Sequence, residues 1–186
     1  MWIRAKGKEA ISGLLIKDLP AFDLLESSPT FIYFPYSILL TQACDIDEFC
    51  KCMEKKENDG NCVSRQIITQ MIFCPAFDED SFKAGTHLKE QYEYQMPLIP
   101  SKELDKYKSQ QNMRYHYLKS NIAEIPGFFI DFKQYFTLPA LFVMKYLKRD
   151  GSEYYRLNHL AYTSLADRFA YYLQRVVLPR PLQVPG

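Results

Sequence analysis

Ile38-Leu39-Leu40-Thr41-Gln42-Ala43-Cys44-Asp45 is an apolar stretch that stops abruptly on a polar run. It reads as a buried strand carrying a thiol and a carboxylate to its end, a common way to build a site on a rigid element. Packing is the competing reading, because a free cysteine is among the most buried residue types and Asp after a strand often opens a turn. Downstream, Val63 to Cys74 is rich in Ile, Thr, Met and Phe and predicts the antiparallel partner of Ile38 to Ala43. The charged stretch between them, from Asp45 to Gly60, reads as a long loop ending in the turn signal Asn58-Asp59-Gly60-Asn61.

Outward from this pair, Ile11 to Ile16 around Gly13 predicts a strand, Lys17-Asp18-Leu19-Pro20 a break, and Thr30 to Ala43 a further strand region. Pro35 lacks a donor, so that region should be two strands or a bent edge strand. Asp78-Glu79-Asp80-Ser81 is placed to start a helix running through Glu90 to Tyr94, and Ser101 to cap one over Lys102 to Gln111. Met113 to Leu118 alternates like a strand, with Gly127 to Phe132 as its neighbour. From Pro139 the pattern is helical, and Leu157, Leu160, Ala161, Leu165, Phe169, Tyr172 and Val176 form one apolar stripe. Together these predict an α+β fold, a small antiparallel β-barrel with C-terminal helices. Residues 1–178 form one domain, with strands mainly in 7–75 and 113–137 and helices mainly in 78–111 and 139–177, and residues 179–186 an extended Pro-rich tail.

The chain has 186 residues, 47% of them hydrophobic, with 13 Phe and 14 Tyr, which describes an aromatic-rich globule with one large core. Its net charge of +1 hides an asymmetry. Residues 1–100 carry ten Lys/Arg against fifteen Asp/Glu, a balance of −5, whereas residues 101–186 carry thirteen against seven, a balance of +6. The basic half could face an acidic partner or phosphate, while the sequence pI near 7.6 argues against DNA binding. Every apolar run is interrupted by Lys or Asp, so no membrane span is expected. With no export signal read at the start, a cytoplasmic protein with reduced thiols is expected.

Three side-chain groupings carry candidate chemistry. Cys44, Cys50, Cys52 and Cys62 could offer four thiolates to zinc, although Cys-x5-Cys-x-Cys-x9-Cys lacks the paired knuckles of a zinc ribbon. Cys44, with Asp45 beside it, His116 and Asp131 are the types a thiol hydrolase needs, a nucleophile, a base and an orienting acid. Arg168 and Arg175, seven residues apart, with Arg156 and Tyr171, could hold a protein partner, or RNA through charge and stacking. The bland reading of each is free thiols, a hydrogen-bonded structural histidine, and arginines that flank a buried stripe and reach into solvent.

A strand after a Gly turn, a second strand running to a polar loop, a third pairing back, and closing helices resemble the MazF/PemK type of SH3-like barrel over roughly residues 7–75. Three further features resemble small bacterial proteins of toxin-antitoxin or defence settings: Thr41-Gln42-Ala43-Cys44-Asp45, His116-Tyr117-Leu118, and a last helix with Arg168-Phe169 and Arg175-Val176-Val177-Leu178-Pro179. The resemblance implies an endoribonuclease with an Arg beside a Pro before the second strand. Here that stretch reads Ser28-Pro29-Thr30-Phe31, so no catalytic arginine is carried over. The expectation is therefore a toxin-like fold reused for binding in a stress or defence system, with a MazF-like ribonuclease or a Cys44-dependent hydrolase as the alternative.

Overall fold

A long central hairpin organises the sheet. The computed structural model describes residues 1–5, 11–23, 30–61, 67–149 and 154–175. After Gly13, turned at φ 76°, β2 (Leu14–Asp23) pairs antiparallel with β3 (Thr30–Leu39) in one constant register from Leu15↔Ile38 to Asp23↔Thr30. The expected breaks at Lys17–Pro20 and Pro35 do not end these strands. Asp18 and Pro35 fall opposite each other and are the one skipped pair, and Asp18 takes φ 51° there. The missing Pro35 donor thus lies where the ladder asks for none.

The strand expected over Ile38 to Ala43 ends at Leu39, and Ala43 already begins a helix. Its pairing with the downstream segment is as expected, Ser37↔Pro75, Ile38↔Cys74 and Leu39↔Phe73 on β4 (Gln70–Asp78). The charged stretch read as a loop is instead α1 (Ala43–Asp59), whose only fully buried residues, Ile46, Phe49 and Cys52, recur at three-residue steps. One narrow apolar stripe suffices for a helix packed on a sheet, and its charges form the solvated face. The turn signal is real but serves as the helix stop, with Gly60 at φ 74°.

Asp78 caps α2 (Glu79–Ala84) by accepting from the Ser81 amide at 2.9 Å. Gly85, at φ 73°, ends that helix well before Glu90, and a separate short α3 (Lys89–Tyr92) follows. α4 (Ser101–Lys108) starts with Ser101 as its first turn rather than its cap. β5 (Tyr115–Leu118) pairs with β6 (Phe128–Asp131) as expected, and a 3-10 turn over Phe132–Gln134 leads to β7 (Phe136–Pro139). The C-terminal region is not helical throughout. Between α5 (Ala140–Arg149) and α6 (His159–Gln174) lies β8 (Tyr155–Leu157), which joins β2 to the N-terminal β1 (Trp2–Arg4). Leu157 is therefore buried in a strand, and Leu160 is 80% exposed, while Leu165 and Phe169 do form the buried face of α6. Val176 and the Pro-rich tail lie outside the described residues.

The architecture is α+β, with an eight-stranded antiparallel sheet ordered β1-β8-β2-β3-β4-β6-β5, β7 pairing with β4 beside β6. It is not closed into a barrel. No ladder joins the edge strands β1 and β5. Asn121 after β5 bridges them by side chain, accepting from the Trp2 amide at 2.8 Å and donating to the Trp2 carbonyl at 3.4 Å. One core lies inside this curl, where Trp2, Ile38, Leu118, Phe128, Ile130 and Phe132 meet Leu165 and Phe169 of α6. A second lies under α1 and α5, and a third joins α2 and α4 to Tyr115 and Phe129.

Candidate binding site

The junction after β3 is built by hydrogen bonds between side-chain hydroxyls and the backbone, drawn from several elements. The Thr41 hydroxyl accepts from the Ile72 amide at 2.8 Å, the Ser12 hydroxyl donates to the Thr41 carbonyl at 2.7 Å, and the Tyr162 hydroxyl donates to the Leu40 carbonyl at 3.0 Å. Buried carbonyls at a strand end need such donors. Cys44 sits exposed in the first turn of α1, its Sγ 3.6 Å from Gln42 Oε1 and 3.7 Å from Asp45 Oδ1.

His116 and Asp131 lie elsewhere, on neighbouring strands but on opposite faces of the sheet. Tyr115 is directly opposite Asp131 and His116 opposite Ile130, so alternation puts His116 in the core with Phe132 and Asp131 on the other side. Burial, and secondarily the Arg168 charge, push the His116 imidazole down to about 4, so it is neutral near pH 7. Asp131 is fully buried and accepts two bonds from Arg114, Nε at 2.8 Å and Nη2 at 2.6 Å, and one from the Lys133 amide at 3.0 Å. Burial works against the Arg114 charge, but the Asp131 carboxylate holds its pKa above the ordinary value.

The basic set also separates. Arg168 Nη2 donates to the carbonyls of Gln110 at 2.9 Å, Asn112 at 3.0 Å and Tyr115 at 3.3 Å, tying α6 to the turn before β5, where Gln110 takes φ 61°. That is a structural role. Tyr171, 54% exposed, and Arg175 share the outer face of α6, and Arg156 stands in β8 between β1 and β2. Among the cysteines, Cys52 is disulfide-bonded, so the expectation of reduced thiols fails there, and Cys62 lies outside the described residues. Among the described residues no group of three His, Cys, Asp or Glu side chains is placed to hold a metal ion.

The expectations pass over a groove of about 300 Å³ lined by Leu88, Tyr92, Tyr94, Met96, Arg114, Lys133 and Gln134. The positive φ of Glu93, 52°, ends α3 and turns the chain between its two tyrosines. The Tyr92 ring lies 6.4 Å from that of the buried Phe34, and its hydroxyl donates to Gln134 Oε1 at 3.4 Å. Opposite, the Asp131 pair fixes Arg114 and leaves Nη1 outside the ion pair, while exposed Lys133 has no ion-pair partner among the described residues. The groove draws on three separate stretches, 88–96, 114 and 133–134. Arg114 and Lys133 come from the basic half and Tyr92 and Tyr94 from the acidic one, so no single sequence pattern marks the groove.

No family model, curated protein or solved structure matches this chain.

Proposed function

We propose that the protein is a non-catalytic binding protein of a bacterial stress or defence system, a toxin-like element that holds a protein partner. The observation that carries it is the dispersal of the catalytic candidates. Cys44 is exposed beside Gln42 and Asp45, His116 is a neutral core residue, and Asp131 is committed to Arg114 on the other sheet face. With only the Asp45 carboxylate and the Gln42 amide beside it, Cys44 lacks the imidazole base of a thiol hydrolase. The stress or defence setting rests on the resemblance of residues 7–75 and of Thr41-Gln42-Ala43-Cys44-Asp45, His116-Tyr117-Leu118 and the last helix. The outer face of α6 supplies the partner contact, with Leu160, Tyr171 and Arg175 exposed on one side of the helix. A rim of this kind sets on-rate and specificity through charge, around exposed apolar anchors.

The test is cross-linking from position 160 in producing cells, followed by titration of the purified partner. Arg175→Glu is expected to weaken the complex about tenfold and flatten its salt dependence. Cys44→Ser is expected to leave affinity and cellular activity within about twofold. Loss of cellular activity on Cys44→Ser with fold and partner affinity intact would favour thiol catalysis instead.

A further inference from the structure

We infer that the groove between α3 and the Phe132–Gln134 turn is a binding site for a nucleoside monophosphate, with the base on Tyr94 and the phosphate on Lys133 and Arg114. The site does not depend on the protein-partner reading, because it uses none of the α6 residues.

Charge comes first. The lining carries two cations and no acidic residue, and the one carboxylate beneath it, Asp131, is fully buried and already spends its oxygens on Arg114 and the Lys133 amide. Arg114 is thus a fixed donor, with Nη1 left over, and Lys133 is a mobile one. One fixed guanidinium nitrogen and a point charge, both lining the groove, suit a phosphate.

Shape and polarity narrow the class further. Tyr94 is 56% exposed, with no hydrogen bond or ring contact among the described residues, so its face is open to a second ring. Tyr92, by contrast, is anchored by the Phe34 ring and Gln134. Leu88 and Met96 make an apolar floor that an inorganic anion would leave unused. Gln134 offers a carboxamide, both donor and acceptor, as the edge of a base requires. A cavity of about 300 Å³ lies at the small end for ligand sites and has room for one nucleotide unit. Stacking on tyrosine beside a cation is the usual mode of single-stranded nucleotide recognition.

The same chemical unit arises from a free nucleotide or from single-stranded RNA, and titration separates them. Adenosine monophosphate is the first probe, measured calorimetrically at low salt against adenosine, inorganic phosphate and a 5′-phosphorylated oligoadenylate of about ten residues. The expected result is saturable binding of the monophosphate, with adenosine and phosphate each at least about tenfold weaker. Lys133→Ala and Tyr94→Ala should each weaken it about fivefold or more, with melting temperatures unchanged because both side chains are exposed, while Lys51→Ala on α1 has no effect. An oligonucleotide bound about tenfold more tightly than the monophosphate assigns the site to RNA, and equal or weaker binding assigns it to a free nucleotide. The inference is overturned if neither monophosphate nor oligonucleotide saturates the protein, if phosphate alone binds as tightly, or if both substitutions leave affinity unchanged.

Discussion

At the scale of single residues, burial sets the pH response of this fold. His116 is 2% exposed and held down to about 4 against an ordinary 6.5. Above pH 6.5 the residue is neutral folded or unfolded and contributes nothing to the pH dependence. Below it the unfolded chain takes up a proton that the folded one refuses, so stability falls as pH drops from 6.5 towards 4, by about 3 kcal/mol in all. His87, lowered mainly by burial, acts in the same direction. Urea titrations at pH 7 and pH 4.5 should therefore show a loss in the parent that is much reduced in His116→Gln, measured relative to that variant's own value at pH 7. Arg114→Gln, which strands the buried Asp131 charge, should cost about 3–5 kcal/mol at pH 7, and Arg114→Gln with Asp131→Asn less than the sum of the two. Residue types were legible in the sequence here but their partners were not. Nothing in the text of Tyr115-His116-Tyr117 says which neighbour faces the core, because a one-residue change of register exchanges the two faces of a strand.

At the scale of elements, the two helix-ending glycines should respond differently to the same substitution. Gly60 has open space around the position of a Cβ, so Gly60→Ala meets only the left-handed backbone penalty, about 1 kcal/mol. At Gly85 a Cβ would run into the Met96 carbonyl group, with its carbon at 2.8 Å, and would lie 2.9 Å from the Pro97 oxygen. Gly85→Ala should consequently lose several times as much, and comparing the two urea midpoints checks this. Phe169, 7% exposed and packed on Phe132 and Tyr135, should cost about 3–5 kcal/mol as Phe169→Ala. The strand pairings Ile38 to β4 and β5 to β6, and the apolar face of α6, could be read from periodicity. α1 could not, because its buried stripe is three residues in seventeen and the charges around it read as a loop. β8 was hidden for another reason. Three residues are too few for a period, and their pairing with β1 is fixed by a part of the chain some 150 residues away.

At the scale of the molecule, the sheet curls far enough for Asn121 to hold Trp2 across 119 residues of sequence, yet stays open at that seam. Closure was expected from the layout of the strands and from resemblance, but it is decided by long-range register, which local pattern does not encode. Cys44 is exposed at the start of α1 while His116 and Asp131 are buried on opposite faces of the sheet, and recognition is proposed for the groove and the α6 face. No helix among the described residues is long and apolar enough to cross a membrane. The claim that this fold binds rather than catalyses is tested most directly by comparing cellular activity in strains carrying Cys44→Ser and Arg175→Glu at matched expression. The account predicts near-parental activity for Cys44→Ser and a clear loss for Arg175→Glu; abolished activity in a folded Cys44→Ser protein that still binds its partner would contradict it.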